Sequence, residues 1–240
     1  MKFVIALASI LFLGSVASVE EGACSKATSN VCSVVNPTGN FGNCNAQYGA
    51  IPHIEHHLQS YASQQLSASY DYLLLSTFYN TYQRDRPGFS KLFRSLSDEA
   101  FENTIKLIKH VTKRGGVIPF RMHQQVKRGR VPVEDDKKTL DFDELPSLSK
   151  ALDMEKELSK KAIELHAHVS VHNSQATKTV TYDPEITQFL EEEFLGKQSS
   201  NIRKLSGYAN DLHKIVDRNA NGGSSTALGV FLFDEYLQKQ

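Results

Sequence analysis

From about His53 to Thr81, the residues Leu58, Tyr61, Gln65, Ala68, Ser69, Tyr72, Ser76 and Tyr79 recur at steps of three and four. That spacing predicts a long amphipathic helix. R-D-R-P-G at 84–88 breaks it, and a second helix is predicted from Phe89 to Arg114, stopped by Gly115 and Gly116. On a helical wheel Phe93, Leu96, Ala100, Asn103, Thr104, Leu107 and Val111 form one stripe, the buried face of this second helix. Ser95, Glu99, Glu102 and Lys106 fall on a separate flank, roughly 100° to 160° from the centre of the stripe, which places both carboxylates outside the core. The first two helices should pair antiparallel.

The connection that follows occupies about thirty residues, too many for a hairpin loop, and must cross the length of the bundle. A third helix is predicted over about Ser147–Ser174, carrying Leu148, Leu152, Glu155, Leu158, Ala162 and Leu165 at helical spacing. A fourth starts at D-P-E, with Asp183 as N-cap and Pro184 in the first position, and runs towards Ile215. Gly222 and Gly223 precede a short fifth helix, A-L-G-V-F-L-F-D-E-Y-L. Four long helices, one long crossover and a short C-terminal helix define an all-α four-helix bundle.

Composition narrows the setting. The chain has 240 residues, 27 basic against 27 acidic side chains, and a pI near 7.1, so no global field favours nucleic acid or a membrane surface. Lys2, the apolar run Phe3 to Leu13 and the small-x-small site at Ser15, Val16 and Ala17 read as a secretory signal peptide over 1–18, with the mature chain starting near Ser18 or Val19. The apolar run is short of the roughly 20 residues a membrane span needs. Localisation is therefore expected in the secretory pathway (endoplasmic reticulum, Golgi) and outside the cell.

Residues 19–52 form an N-terminal extension holding all three cysteines, Cys24, Cys32 and Cys44, and the helical domain occupies 53–240. An oxidising compartment favours disulfides over a reduced metal site, and an odd count leaves one thiol for another chain or unpaired. The sequence does not assign which. N-P-T at Asn36 is closed to N-glycosylation by Pro37. The clusters His53, His56, His57 and His166, His168, His172 lack a convergent third ligand type and read as exposed histidines, and K-R-G-R at 127–130 reads as an exposed loop.

The pieces Y-D-Y-L-L-L-S-T-F-Y, F-S-K-L-F-R-S-L-S-D-E, K-R-G-G, E-K-E-L-S-K-K-A-I-E-L-H, F-L-E-E-E-F-L, N-I-R-K-L and L-G-V-F-L-F-D-E-Y-L occur in the order and approximate spacing of ferritin chains. Over residues 53–240 the chain resembles the ferritin family, and with its signal peptide and cysteine segment it looks most like the light-chain homologue of secreted insect-type ferritins. The resemblance implies a ferritin-like four-helix bundle, a hollow shell of about twenty-four chains shared with a heavy-type catalytic subunit, and a ferric iron mineral as cargo with no organic cofactor.

Catalytic ferritin subunits hold two irons with carboxylates and a Glu-x-x-His pair. At the matching positions this chain carries Gln65, Ala100 and Asn103, while Glu155, Gln198 and Tyr72 still fit the pattern. The resemblance thus implies a disabled site and no enzyme, the alternative being a ferroxidase-active subunit with ligands placed elsewhere. Glu155 is expected in a buried contact with Tyr72 or Gln65, or else in a residual mononuclear site. Glu99 and Glu102, with Asp98 nearby, match cavity-facing positions that seed mineral; the competing account is plain solvation, with Lys106 paired to Glu102. Gln188 and Glu191 match the acidic pair of the three-fold channel, against a simple solvated helix face.

Overall fold

The computed structural model describes residues 46–118, 143–170, 182–218 and 223–240. All regular structure among them is helical: α1 (Ile51–Tyr79), α2 (Pro87–Lys113), α3 (Glu144–Ser170), α4 and α5 (Gly223–Gln238). α4 runs as Pro184–Leu190, a π-helical turn over Glu191–Leu195, and Gly196–Arg218. The expected bounds shift a little. α1 and α2 each begin two residues early, because Pro52 and Pro87 sit in first turns where a missing N–H breaks no helical bond. α3 begins at Glu144 rather than Ser147, and its predicted extension to Ser174 passes beyond the described residues. The π turn was absent from the predicted elements. The signal segment, the three cysteines, His172 and 127–130 lie outside the described residues.

Side-chain contacts fix the helix directions. Ser97 Oγ donates to Ser69 O at 2.8 Å and Ser76 Oγ to Ser90 O at 2.9 Å, so α1 and α2 are antiparallel, as expected. Tyr79 Oη donates to Ser147 Oγ at 2.8 Å and Tyr72 Oη to Glu155 Oε1 at 2.8 Å, which makes α1 and α3 antiparallel too. α2 and α3 consequently run the same way and start at the same end, where Arg86 Nε lies 3.3 Å from Glu144 Oε1. A connection between two helices that run the same way has to traverse the bundle, which accounts for the long stretch of chain between Lys113 and Glu144.

The core is built by Leu58, Tyr72, Leu75, Phe93, Leu107, Val111, Leu148, Leu165, Phe194 and Leu212, each buried. Every such side chain contributes about 1.5–3 kcal/mol by leaving water. Tyr79 stacks on Phe89 and Phe93 with ring centroids 5.2 and 5.6 Å apart. α2 ends in a Schellman motif: Gly116 N donates to Val111 O at 2.9 Å, Gly115 N donates to Thr112 O at 3.1 Å, and Gly115 adopts φ +77°. A Cβ there would also meet Ala46 C at 2.9 Å, so the glycine serves the turn and a close chain approach together. Asp183 caps α4 by accepting from Ile186 N at 3.4 Å. α5 is tied to the start of α2, where buried Asp234 accepts from Phe89 N at 2.9 Å.

Candidate metal centre

All four long helices supply polar side chains to the middle of the bundle. α1 brings Tyr61, Gln65 and Tyr72, α2 brings Ala100 and Asn103, α3 brings Glu155, and α4 brings Gln198; all seven are buried. The two glutamines turn on the same hydroxyl: Gln65 Nε2 and Gln198 Nε2 each donate to Tyr61 Oη at 2.8 Å. Burial pushes that hydroxyl well above the ordinary tyrosine range, the Gln198 and Gln65 hydrogen bonds pull it back, and Glu155 adds to the rise. Ala100 presents only a methyl.

Glu155 is held by Tyr72, whose Oη also lies 3.3 Å from Ala151 O. Burial pushes the Glu155 carboxyl above the usual carboxylate range; the Tyr72 hydrogen bond opposes this, the Glu99 charge reinforces it, and Asn201 opposes it. Tyr72 is driven upward in turn, by burial first and then by Glu155.

Glu99 corrects the wheel. Its flank position predicted a side chain outside the core, but it is half-buried, with Oε2 accepting from Asn201 Nδ2 at 3.1 Å. Asn201 therefore joins the half-buried Glu99 to the core Glu155. Glu102 is exposed, as expected. Lys106 does not pair with it: Lys106 Nζ reaches across to Glu193 Oε2 at 2.7 Å, and Lys197 Nζ shares that oxygen at 3.1 Å. Asp98 Oδ2 is paired with Arg94 Nε at 3.0 Å. Among the described residues, Glu102 has no ion-pair or hydrogen-bond partner.

At the start of α4, Glu191 is exposed and its Oε1 lies 2.7 Å from His166 Nε2 on α3. Gln188 Nε2 donates to Glu192 Oε1 at 2.8 Å. Residues 191 and 198 are seven apart, which in a regular α-helix gives them the same face. The extra residue of the π turn rotates one against the other by about 100°, so that Glu191 meets solvent while Gln198 enters the core. His57 and His168 stack at 5.1 Å between ring centroids. Among the described residues, no three His, Cys, Asp or Glu side chains converge in a way that could hold a metal ion.

Several participants escaped the sequence reading. Asn201 sits three residues after Gln198 and so on the same helix face, a spacing that could have pointed to it. Tyr61 stands on its stripe only as a core position, and the spacing singles out neither Glu193 nor Lys197.

Geometry of this kind defines a four-helix bundle with a polar centre assembled from every long helix. A Ferritin-like domain model matches residues 55–215. The chain is 44% identical over the whole of both chains to the ferritin light chain of Drosophila melanogaster. It is 40% identical to the ferritin light chain of Trichoplusia ni, over 100% of this chain and 99% of that one. Its fold is similar to the crystal structure of Trichoplusia ni secreted ferritin, with a TM-score of 0.74 and 40% identity, covering 90% of this chain and 98% of that chain. The chain belongs to the ferritin family, whose members store iron in multi-subunit shells.

Proposed function

We propose that this chain is the non-catalytic, structural and mineral-nucleating subunit of a secreted ferritin shell of about twenty-four chains, which stores and transports ferric iron alongside a heavy-type catalytic subunit. One observation carries the reading. The centre that would bind an iron pair offers a single buried carboxylate, Glu155, already engaged by Tyr72, while Gln65 and Gln198 bring only neutral amides whose Nε2 groups donate to Tyr61, and Ala100 has no ligand atom. Two divalent cations there would meet one formal negative charge, far from the carboxylate-rich set such a site uses.

Iron is then oxidised by a neighbour, and this chain acts on the product. Exposed Glu102 and half-buried Glu99 attract ferric ions through hard oxygen donors without enforcing a redox geometry. The Arg94 pair with Asp98 and the two lysines on Glu193 thin the patch, so nucleation falls mainly to Glu102 and Glu99. Glu191 lines the cation channel, with Gln188 beside it as a neutral replacement for a charge. Residues 1–18 direct secretion, residues 19–52 carry Cys24, Cys32 and Cys44 into disulfides, and an odd cysteine bridges to the catalytic partner.

Ferrous oxidation tests the reading directly. Shells of this chain alone should oxidise Fe(II) no faster than the buffer blank, and the triple change Gln65→Glu, Ala100→Glu and Asn103→His should restore part of the activity. Fast, saturable oxidation by the unmodified chain, at a few irons per subunit, would overturn it.

A further inference from the structure

The end of the bundle where α2 stops and α4 starts carries a charged cluster that iron handling leaves unused. Arg114, the C-cap of α2, has its side chain 1% exposed. Its Nη2 donates to Asp183 Oδ2 at 2.6 Å and to Tyr48 O at 3.0 Å, its Nη1 donates to Glu185, and its guanidinium lies 3.9 Å from the centre of the Tyr48 ring. Asp183 Oδ2 also accepts from Ala50 N at 3.1 Å, and Gln47 Nε2 donates to Gly115 O at 3.1 Å. Gly49, at φ +63°, comes so close that a Cβ would stand 2.3 Å from Asp183 Oδ2. Residues 46–50, the covalent link between the cysteines and the bundle, are fastened to the bundle here.

His110 lies one turn before Arg114, buried, its ring parallel to Phe189 at 3.9 Å. Its Nε2 is 3.3 Å from Glu185 Oε2, near enough for an ion pair once charged, yet misaligned and without a hydrogen-bond partner. The charged groups acting on it are Glu185 and Asp183 from α4 and Arg114 and Lys113 from its own helix. The segment before α1 contributes neutral Tyr48, and the Glu55 carboxylate of α1 is committed to Val117 N at 2.7 Å.

We propose that this cluster is an acid-released clasp: protonating His110 puts a second buried cation beside Arg114 in competition for Glu185, and residues 46–50 come away from the bundle. Burial is the strongest influence on His110 and pushes its imidazole below the ordinary value; Glu185 pulls it back up, while Arg114 and Lys113 push it further down. A histidine depressed in the folded state lends stability above its unfolded pKa, near 6.5, and that stability is lost as the pH falls from there through the folded value. The clasp is thus closed at neutral pH and weakens in an acidic compartment. It does not depend on whether the chain is catalytic.

Hydrogen exchange on the assembled full-length particle tests it, with the protection of residues 46–54 compared at about pH 7.4 and about pH 5 after correction for intrinsic rates. One group with an unfolded pKa near 6.5 can lower that protection by at most about 30-fold at pH 5. A fall within this limit, confined to the segment while the α1 interior holds, is the expected result. His110→Phe, which keeps the stack on Phe189 but cannot titrate, should abolish the pH dependence, and His110→Gln should do the same if the larger ring disturbs packing. Unchanged protection in the natural chain, an equal fall in the α1 interior, or the same fall in the non-titrating variants would overturn the clasp.

Discussion

Removing the Tyr72 hydroxyl with Tyr72→Phe takes from Glu155 a 2.8 Å hydrogen bond inside the bundle. A hydrogen bond to a buried charged acceptor is worth about 1.5–3 kcal/mol, against about 0.5–1.5 kcal/mol for a neutral one. For a chain of this length each kcal/mol moves the thermal midpoint by about 2–4 °C, so the variant should melt about 3–12 °C lower near pH 7.5. The deficit should depend on pH. Glu155 is raised above its unfolded value, so its burial weighs on stability when ionised, and that cost is relieved as the pH falls through the folded pKa towards the unfolded one. Losing the Tyr72 hydrogen bond raises Glu155 further, so the gap between variant and parent should be widest near neutrality and shrink towards the neutral-bond figure near pH 4.5. In a Glu155→Gln background, Tyr72→Phe should cost only about 0.5–1.5 kcal/mol at every pH. Thermal unfolding of the four proteins at two pH values forms a double-mutant cycle in which other acid effects cancel. An equal drop in both backgrounds at both pH values would mean that Tyr72 acts through packing alone.

Two further outcomes follow from named contacts. In shells shared with a catalytic subunit, Glu99→Gln with Glu102→Gln should slow mineral growth, followed by light scattering, and leave the initial Fe(II) oxidation rate unchanged; an unaltered growth curve would return both residues to the status of surface charge. Asp234→Ala strips the cap from Phe89 N and should cost about 1–2 kcal/mol, lowering the melting midpoint by about 2–8 °C, while an unchanged midpoint would show that α5 does not stabilise the start of α2.

Helix number, order and approximate extents were legible along the chain, because periodicity, the Asp183 cap and the Gly115–Gly116 stop are local signals that act within one or two turns, while the first turns holding Pro52 and Pro87 lay outside the expected bounds. The length of the 117–146 connection already required a crossover, and the parallel run of α2 and α3 supplies its geometric cause. The residue types at the centre were legible as well: Gln65, Ala100 and Asn103 on buried stripes need only a wheel to be placed inside.

What those residues do with their polar atoms was decided by the neighbours that the fold brings to them. Lys106 could reach Glu102 one turn before it or Glu193 on another helix, and only the packing of α4 against α2 chooses Glu193. Glu99 left the solvent flank for the same reason, since Asn201 of α4 closes over it. The π turn adds one residue to a run whose composition gives no sign of it, and the rotation it imposes separates Glu191 at the surface from Gln198 in the core. Along the chain Arg114 is only the last residue of the predicted second helix. It became a buried clasp only because Tyr48, Asp183 and Glu185, 66, 69 and 71 positions away in sequence, converge on it. Local spacing decides where a helix runs and which face it buries; the partners of a polar side chain are set by distances between helices, which no single helix encodes.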